Sequence, residues 1–131
     1  MKNIFFLIAL LISTISFGQT DSIQKEKALV VVEKMPEFKG GDNARNKFIQ
    51  KNIKYPQEAY KAKIGGTSYI NFIVEKDGSL SEIRVLKGVK DCPACDAEAI
   101  RVIGLMPKWI PGEQGGRVVR TMFNIPIKFV P

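Results

Sequence analysis

The sequence predicts an α+β domain of two layers, in which a small antiparallel β-sheet, made of a hairpin plus a C-terminal edge strand, packs on a helix and follows two short N-terminal helices. Three observations carry this. From Gly115 to Phe129 the chain alternates with period two: Val119, Thr121, Phe123, Ile125, Ile127 and Phe129 fall on one parity, and Val118, Arg120, Met122, Asn124, Pro126 and Lys128 on the other. Two alternating stretches, Thr67 to Glu75 and Leu80 to Val89, flank an Asp77-Gly78 turn and read as a hairpin. Between them and the last strand, Asp96 to Met106 places Ala99, Ile100, Ile103 and Met106 on one side at helical spacing. Strands punctuated by helices in this order form a sheet with one face covered and the other wetter.

Taken in order, the chain opens with Met1-Lys2-Asn3, an apolar run from Ile4 to Ile15 interrupted by Ser13 and Thr14, and then Ser16-Phe17-Gly18. A positive start, a short apolar middle and small residues before Gln19 predict a secretory signal peptide over residues 1–18, cleaved after Gly18. The competing reading is an uncleaved inner-membrane anchor, for which the run is short against the ~20 apolar residues a span needs. Residues 19–28 are a polar, flexible lead-in, and residues 29–131 form the domain. With 131 residues, the chain holds one domain and its appendages.

Within the domain, Ala28 to Phe38 begins β-branched and meets Pro36, which predicts a strand that stops or bends there. Gly40-Gly41 breaks it, Asp42 or Asn43 caps the next element, and Ala44, Phe48 and Ile49 mark a short amphipathic helix to Asn52. Tyr55-Pro56 ends that helix and starts a second over Gln57 to Lys63, closed by Gly65-Gly66. Tyr55 is expected to lay its ring on the sheet and bond through its hydroxyl, and Trp109, the only tryptophan, to anchor an open end of the core. Pro126 has no N–H to donate, so the last strand belongs at a sheet edge or ends its pairing there. Such an edge pairs with another chain either by accident or as a function.

Chemistry is sparse. Histidine is absent, and no phosphate-binding glycine loop of dinucleotide or P-loop form is present. No metal site and no cofactor is expected, since two cysteines cannot make an all-Cys zinc site. Asp96 and Glu98 point apart on a helix and are expected at the surface rather than in acid–base work. The 20 Lys and Arg against 13 Asp and Glu are scattered without a basic stripe, so the charge keeps the surface solvated and nucleic acid is not an expected partner. Cys92 and Cys95 form a CxxC at a helix start, where a thiolate is stabilised. Asp91 and Asp96 oppose that charge, and an oxidising compartment favours a local disulfide. An exported thiol-disulfide protein using Cys92 and Cys95 stays open as an alternative.

The assembled residues resemble a family. Tyr55-Pro56 with Ala59, Gly66-x-Ser68-x-Ile70-x-Phe72-x-Val74, Asp77-Gly78, Val85, Asp96 with Ala99, Met106-Pro107-x-Trp109-x-Pro111-Gly112 and Phe123-x-Ile125-Pro126-Ile127-x-Phe129 are similar to the C-terminal domain of TonB proteins. Met35-Pro36-x-Phe38-x-Gly40-Gly41 ahead of it resembles the Bacteroidetes-type members. The resemblance implies a non-enzymatic periplasmic domain in energy-coupled transport across the outer membrane. It would bind the N-terminal TonB-box segment of an outer-membrane TonB-dependent transporter, added as a strand along Arg117, Val118, Val119, Arg120, Thr121, Met122, Phe123, Asn124 and Ile125. It also implies contact with the inner-membrane motor proteins ExbB and ExbD if the N-terminus is retained. Full transducers carry a membrane helix and a long Pro-rich linker, whereas Gln19 to Ala28 reaches at most ~36 Å. A cleaved leader would therefore leave binding but not force transmission from the inner membrane. A homodimer, or a self-associating envelope module, built on the same edge is the remaining reading.

Overall fold

The computed structural model describes residues 26–131, so the expected leader with its cleavage site, and the lead-in as far as residue 25, lie outside the described residues. The elements run α1 (Gly41–Asn52), α2 (Gln57–Lys61), β1 (Gly66–Val74), β2 (Leu80–Lys87), α3 (Pro93–Gly104), β3 (Gly112–Gln114), β4 (Arg117–Val119) and β5 (Thr121–Phe129). The main sheet has the order β2-β1-β5 with both joins antiparallel, and β3-β4 form a second small sheet. The expected α+β architecture is present, with the C-terminal strand at the sheet edge. Among the described residues no helix is long and apolar enough to cross a membrane.

The alternation read from the sequence sorts the two faces. In β1 the buried Ser68, Ile70, Phe72 and Val74 share one parity, and in β5 Ile125, Ile127 and Phe129 join them. Against this face lies α3 with Cys95, Ala99 and Ile103. The opposite face is wetter. There Asn124 accepts a hydrogen bond from the Asn71 amide at 2.6 Å, and Arg84 donates to Asn71 at 3.1 Å. Register is uniform along β1 and β5, from Gly66 opposite Phe129 to Val74 opposite Thr121. That ladder holds the C-terminal strand in a single alignment, because a one-residue slip would turn its apolar set out to water.

Four local expectations are corrected. The expected ribbon from Gly115 to Phe129 is two strands broken at Arg120, because β4 pairs with β3 while β5 pairs with β1. The strand expected over Ala28 to Phe38 is instead three isolated bridges: Leu29 to Thr121, Lys34 to Glu113 and Glu37 to Ile110. Each contact is with a different segment, so no continuous ladder forms. The third helix begins at Pro93 rather than Asp96; proline suits a first turn, and Cys92 caps it by accepting from the Cys95 N–H at 3.1 Å. The first helix is capped by Gly40 in a left-handed conformation, φ 97°, without a side-chain bond. Asp42 lies in its first turn, where the helix dipole favours a negative charge.

Candidate partner-binding edge

Which backbone groups of the last strand are open follows from the alternation of an antiparallel ladder. The Met122 N–H donates outward to the Leu29 carbonyl at 2.8 Å, and the Leu29 N–H donates to the Arg120 carbonyl at 2.9 Å. Met122 therefore turns its backbone groups away from β1, as do Asn124, Pro126 and Lys128 at every second position. Thr121, Phe123, Ile125, Ile127 and Phe129 spend theirs on β1. In β4, Glu113 exchanges both backbone bonds with Lys34, so its opposite number Val118 also faces away from its partner strand. Pro126 sits on the outward side, where its missing N–H costs no bond to β1.

The rim so defined is occupied at its middle. Leu29 forms one parallel rung at Arg120 and Met122, and residues 26–29 are held there by two further contacts, from Arg120 to the Glu26 carbonyl and from Lys76 to the Glu26 carboxylate. Beyond that rung, among the described residues, no backbone group bonds the outward N–H of Asn124 or Lys128.

The nine expected partner-binding residues thus divide. Arg117 and Val118 are exposed in β4, with Val119 half-buried beside them. The side chains of Thr121, Phe123 and Ile125 point into or toward the core. Met122 is half-buried and Asn124 exposed on the wetter face. Arg120 is the largest departure. Its side chain is buried and makes a bidentate pair with Glu75, Nε to Oε2 at 2.9 Å and Nη2 to Oε1 at 2.9 Å. The Glu75 bond, opposed by burial, moves its pKa further above the usual arginine value. Arg120 therefore withholds its guanidinium, and the exposed Arg117 and Lys128 carry the positive charge along the edge. The one signal for this pair was that Glu75 and Arg120 share the wetter parity; the strand adjacency that joins them, with Val74 opposite Thr121, is not in the sequence pattern. Leu29 carried no such signal.

The remaining motif residues serve the frame. The Tyr55 hydroxyl donates to the Ile64 carbonyl, and its ring meets Phe129 edge-on at 5.5 Å, with Pro56 as the N-cap of α2. Trp109 is buried among Phe38, Phe72 and Phe123, with ring centroids 5.3–5.8 Å away. Asp96, expected at the surface, instead accepts from the Ser68 hydroxyl and the Val89 N–H, each at 2.9 Å, and so ties α3 to the hairpin. Cys92 and Cys95 are joined as a disulfide, and both are buried in the core. Thiol exchange needs an accessible sulfur, so this burial supports a staple over a redox centre. Among the described residues no group of three or more His, Cys, Asp or Glu side chains gathers to hold a metal.

Comparison with known proteins places this geometry. No curated protein matches the chain. An NMR solution structure of the TonB C-terminal domain of Helicobacter pylori is similar, with 25% identity over 66% of this chain and 89% of that one and a TM-score of 0.50. A longer segment of the same domain gives 23% identity, 66% and 76% coverage and a TM-score of 0.49. The domain from Pseudomonas aeruginosa gives 25%, 59% and 76%, with 0.48. The model of the family described as "Gram-negative bacterial TonB protein C-terminal" matches residues 51–131, from the end of α1 through the last residue of the chain, and the protein belongs to that family.

Proposed function

We propose that this protein is a periplasmic, non-enzymatic binding domain that captures the N-terminal TonB-box segment of an outer-membrane TonB-dependent transporter by strand addition, in energy-coupled transport. The observation that carries this reading is the outward backbone of Asn124 and Lys128, whose N–H groups no backbone group among the described residues bonds, at the edge of a sheet whose β1–β5 register is fixed. A guest strand can pair there through backbone groups, with little demand on its own sequence. The expected site ran from Arg117 to Ile125. The rim favours the outward set Val118, Met122 and Asn124 within it, extended to Lys128, with the Leu29 rung displaced when a guest covers Arg120 and Met122. A load on a guest held along β5 would pass through the β1–β5 ladder without bond chemistry in this protein. Contact with ExbB and ExbD would require that the N-terminal residues be retained.

The test is titration calorimetry with N-terminal peptides of transporters from the same host. Asn124→Pro removes one outward backbone donor and no backbone bond to β1, but it also removes the side-chain acceptor of the Asn71 amide, so folding of the variant is checked by circular dichroism beside the titration. We expect its peptide affinity to fall by about tenfold, the weight of one to two hydrogen bonds. Unchanged affinity in a folded variant, or no binding by any peptide, counts against the proposal.

A further inference from the structure

The three-stranded sheet has two edges, and β2 is the second of them. Its composition invites pairing: Leu80, Ile83, Val85 and Leu86 fall within eight residues, and Leu86 is 53% exposed. Among the described residues no backbone hydrogen bond joins β2 to any segment but β1. The two edges differ in regularity. β5 keeps one register with β1 throughout, whereas the β1–β2 register shifts twice, between Tyr69 and Ile70 and again between Asn71 and Ile73. Tyr69 lies opposite Lys87 and Ile70 opposite Val85, so Leu86 is an extra residue on β2. Asn71 lies opposite Arg84 and Ile73 opposite Ser81, so a second extra residue falls at Glu82 or Ile83. Backbone conformation selects Glu82: its φ is +48°, in the left-handed region, and its side chain is exposed, while Ile83 packs against the core.

An edge strand accepts a guest only while its backbone groups point outward at every second residue. Each extra residue moves that alternation on by one position. The longest regular runs on β2 are therefore two residues, Arg84 with Val85 and Leu80 with Ser81, and a ladder begun on either loses its next rung at a bulge. Exposed Glu82, Arg84 and Lys87 add charge along the same edge. A left-handed glutamate is disfavoured in itself, and flattening it would lengthen the regular run open to pairing.

We propose that Glu82 and Leu86 close the β2 edge to strand addition, by a guest or by a second copy of this chain, so that the domain stays monomeric and its sheet takes one added strand. The part that concerns a guest rests on the strand-addition reading at β5; the part that concerns a second copy does not.

The experiment compares the wild-type chain with three variants: Glu82→Thr, which disfavours the left-handed conformation; Glu82→Gly, which favours it and removes the same charge; and a chain lacking both Glu82 and Leu86. Near-ultraviolet circular dichroism checks that each is folded. Sedimentation velocity across a range of protein concentrations reads self-association, and native mass spectrometry with a Val-Thr peptide of nine residues, the length of β5, counts added strands. Wild type and Glu82→Gly are expected to sediment as monomers and to take one peptide. Glu82→Thr and the double deletion are expected to self-associate about tenfold more tightly than wild type, or to take a second peptide whose binding shifts the β2 amides in ¹⁵N NMR spectra. A folded double deletion that stays monomeric and takes one peptide overturns the proposal, as does a wild type that dimerises, or takes a second peptide, with shifts in its β2 amides. If the deletion does not fold, the Glu82→Thr and Glu82→Gly pair decides, and equal behaviour of the two means that the left-handed residue does not close the edge. If no peptide binds any variant, strand addition at β5 falls, and the sedimentation comparison alone decides whether β2 is closed.

Discussion

Gly78 holds φ at +86° in the turn between β1 and β2, and its carbonyl accepts from the Trp109 N–H at 2.8 Å. A Cβ at this position would collide with the Trp109 backbone. Both the left-handed conformation and the close approach demand glycine, so Gly78→Ala should destabilise the fold by roughly 3 kcal/mol, with a matching drop in urea midpoint. Glu98 gives a prediction in pH. Its carboxylate accepts from Arg101 and from the Lys54 N–H, while Arg101 also donates to the Asn52 carbonyl at the end of α1. The Arg101 bond, helped by Lys54, holds the Glu98 pKa below the ordinary glutamate value. A depressed carboxylate stabilises the folded state fully above its unfolded pKa, and this contribution is lost as pH falls through the folded one. Glu98→Gln should therefore lower stability at pH 7 and make progressively less difference under acid. Equal losses at both ends of a pH series of urea melts would contradict the assignment.

At the level of elements, β5 and the hairpin were legible because alternation, a two-residue turn signal and a buried face all point the same way. Pro126 marked the edge for a reason the ladder makes explicit, since its missing donor lies on the outward side. The front segment was not legible. Ala28 to Phe38 reads as a strand by composition, yet it is spent in single bridges to three different partners, and a composition signal does not encode partners. Arg120 misled in the same way, because a cation on the wetter parity looks solvent-facing until its neighbour Glu75 is placed beside it. The Leu29 rung bears directly on the rim. Leu29→Pro removes the N–H that bonds Arg120, freeing the Arg120 carbonyl and loosening the strap from Met122. Since one rung contributes about 1 kcal/mol net, the variant should remain folded and bind transporter peptides about fivefold tighter in calorimetry. Weaker binding would mean that the strap supports the rim and does not compete for it.

For the whole molecule, the question is whether the parts ahead of residue 51 are ornaments on a family domain or part of its core. The family model begins at residue 51, yet Phe38 is buried and its ring lies 5.8 Å from both Phe48 of α1 and Trp109. Trp109 in turn packs against Phe72 of β1 and Phe123 of β5. One aromatic cluster therefore joins the front segment, the first helix and both long strands, while Glu37 bridges to Ile110 next to it. A domain that shares one cluster should unfold as one unit. Phe38→Ala should cost about 3 kcal/mol in a single urea transition with an unchanged slope, as loss of a buried ring does. Fluorescence of Trp109 and far-ultraviolet circular dichroism should give the same midpoint. A cost near zero, or a first transition seen by one probe alone, would show that the front segment and α1 melt separately from the sheet, and the shared aromatic cluster would not then bind them into one cooperative unit.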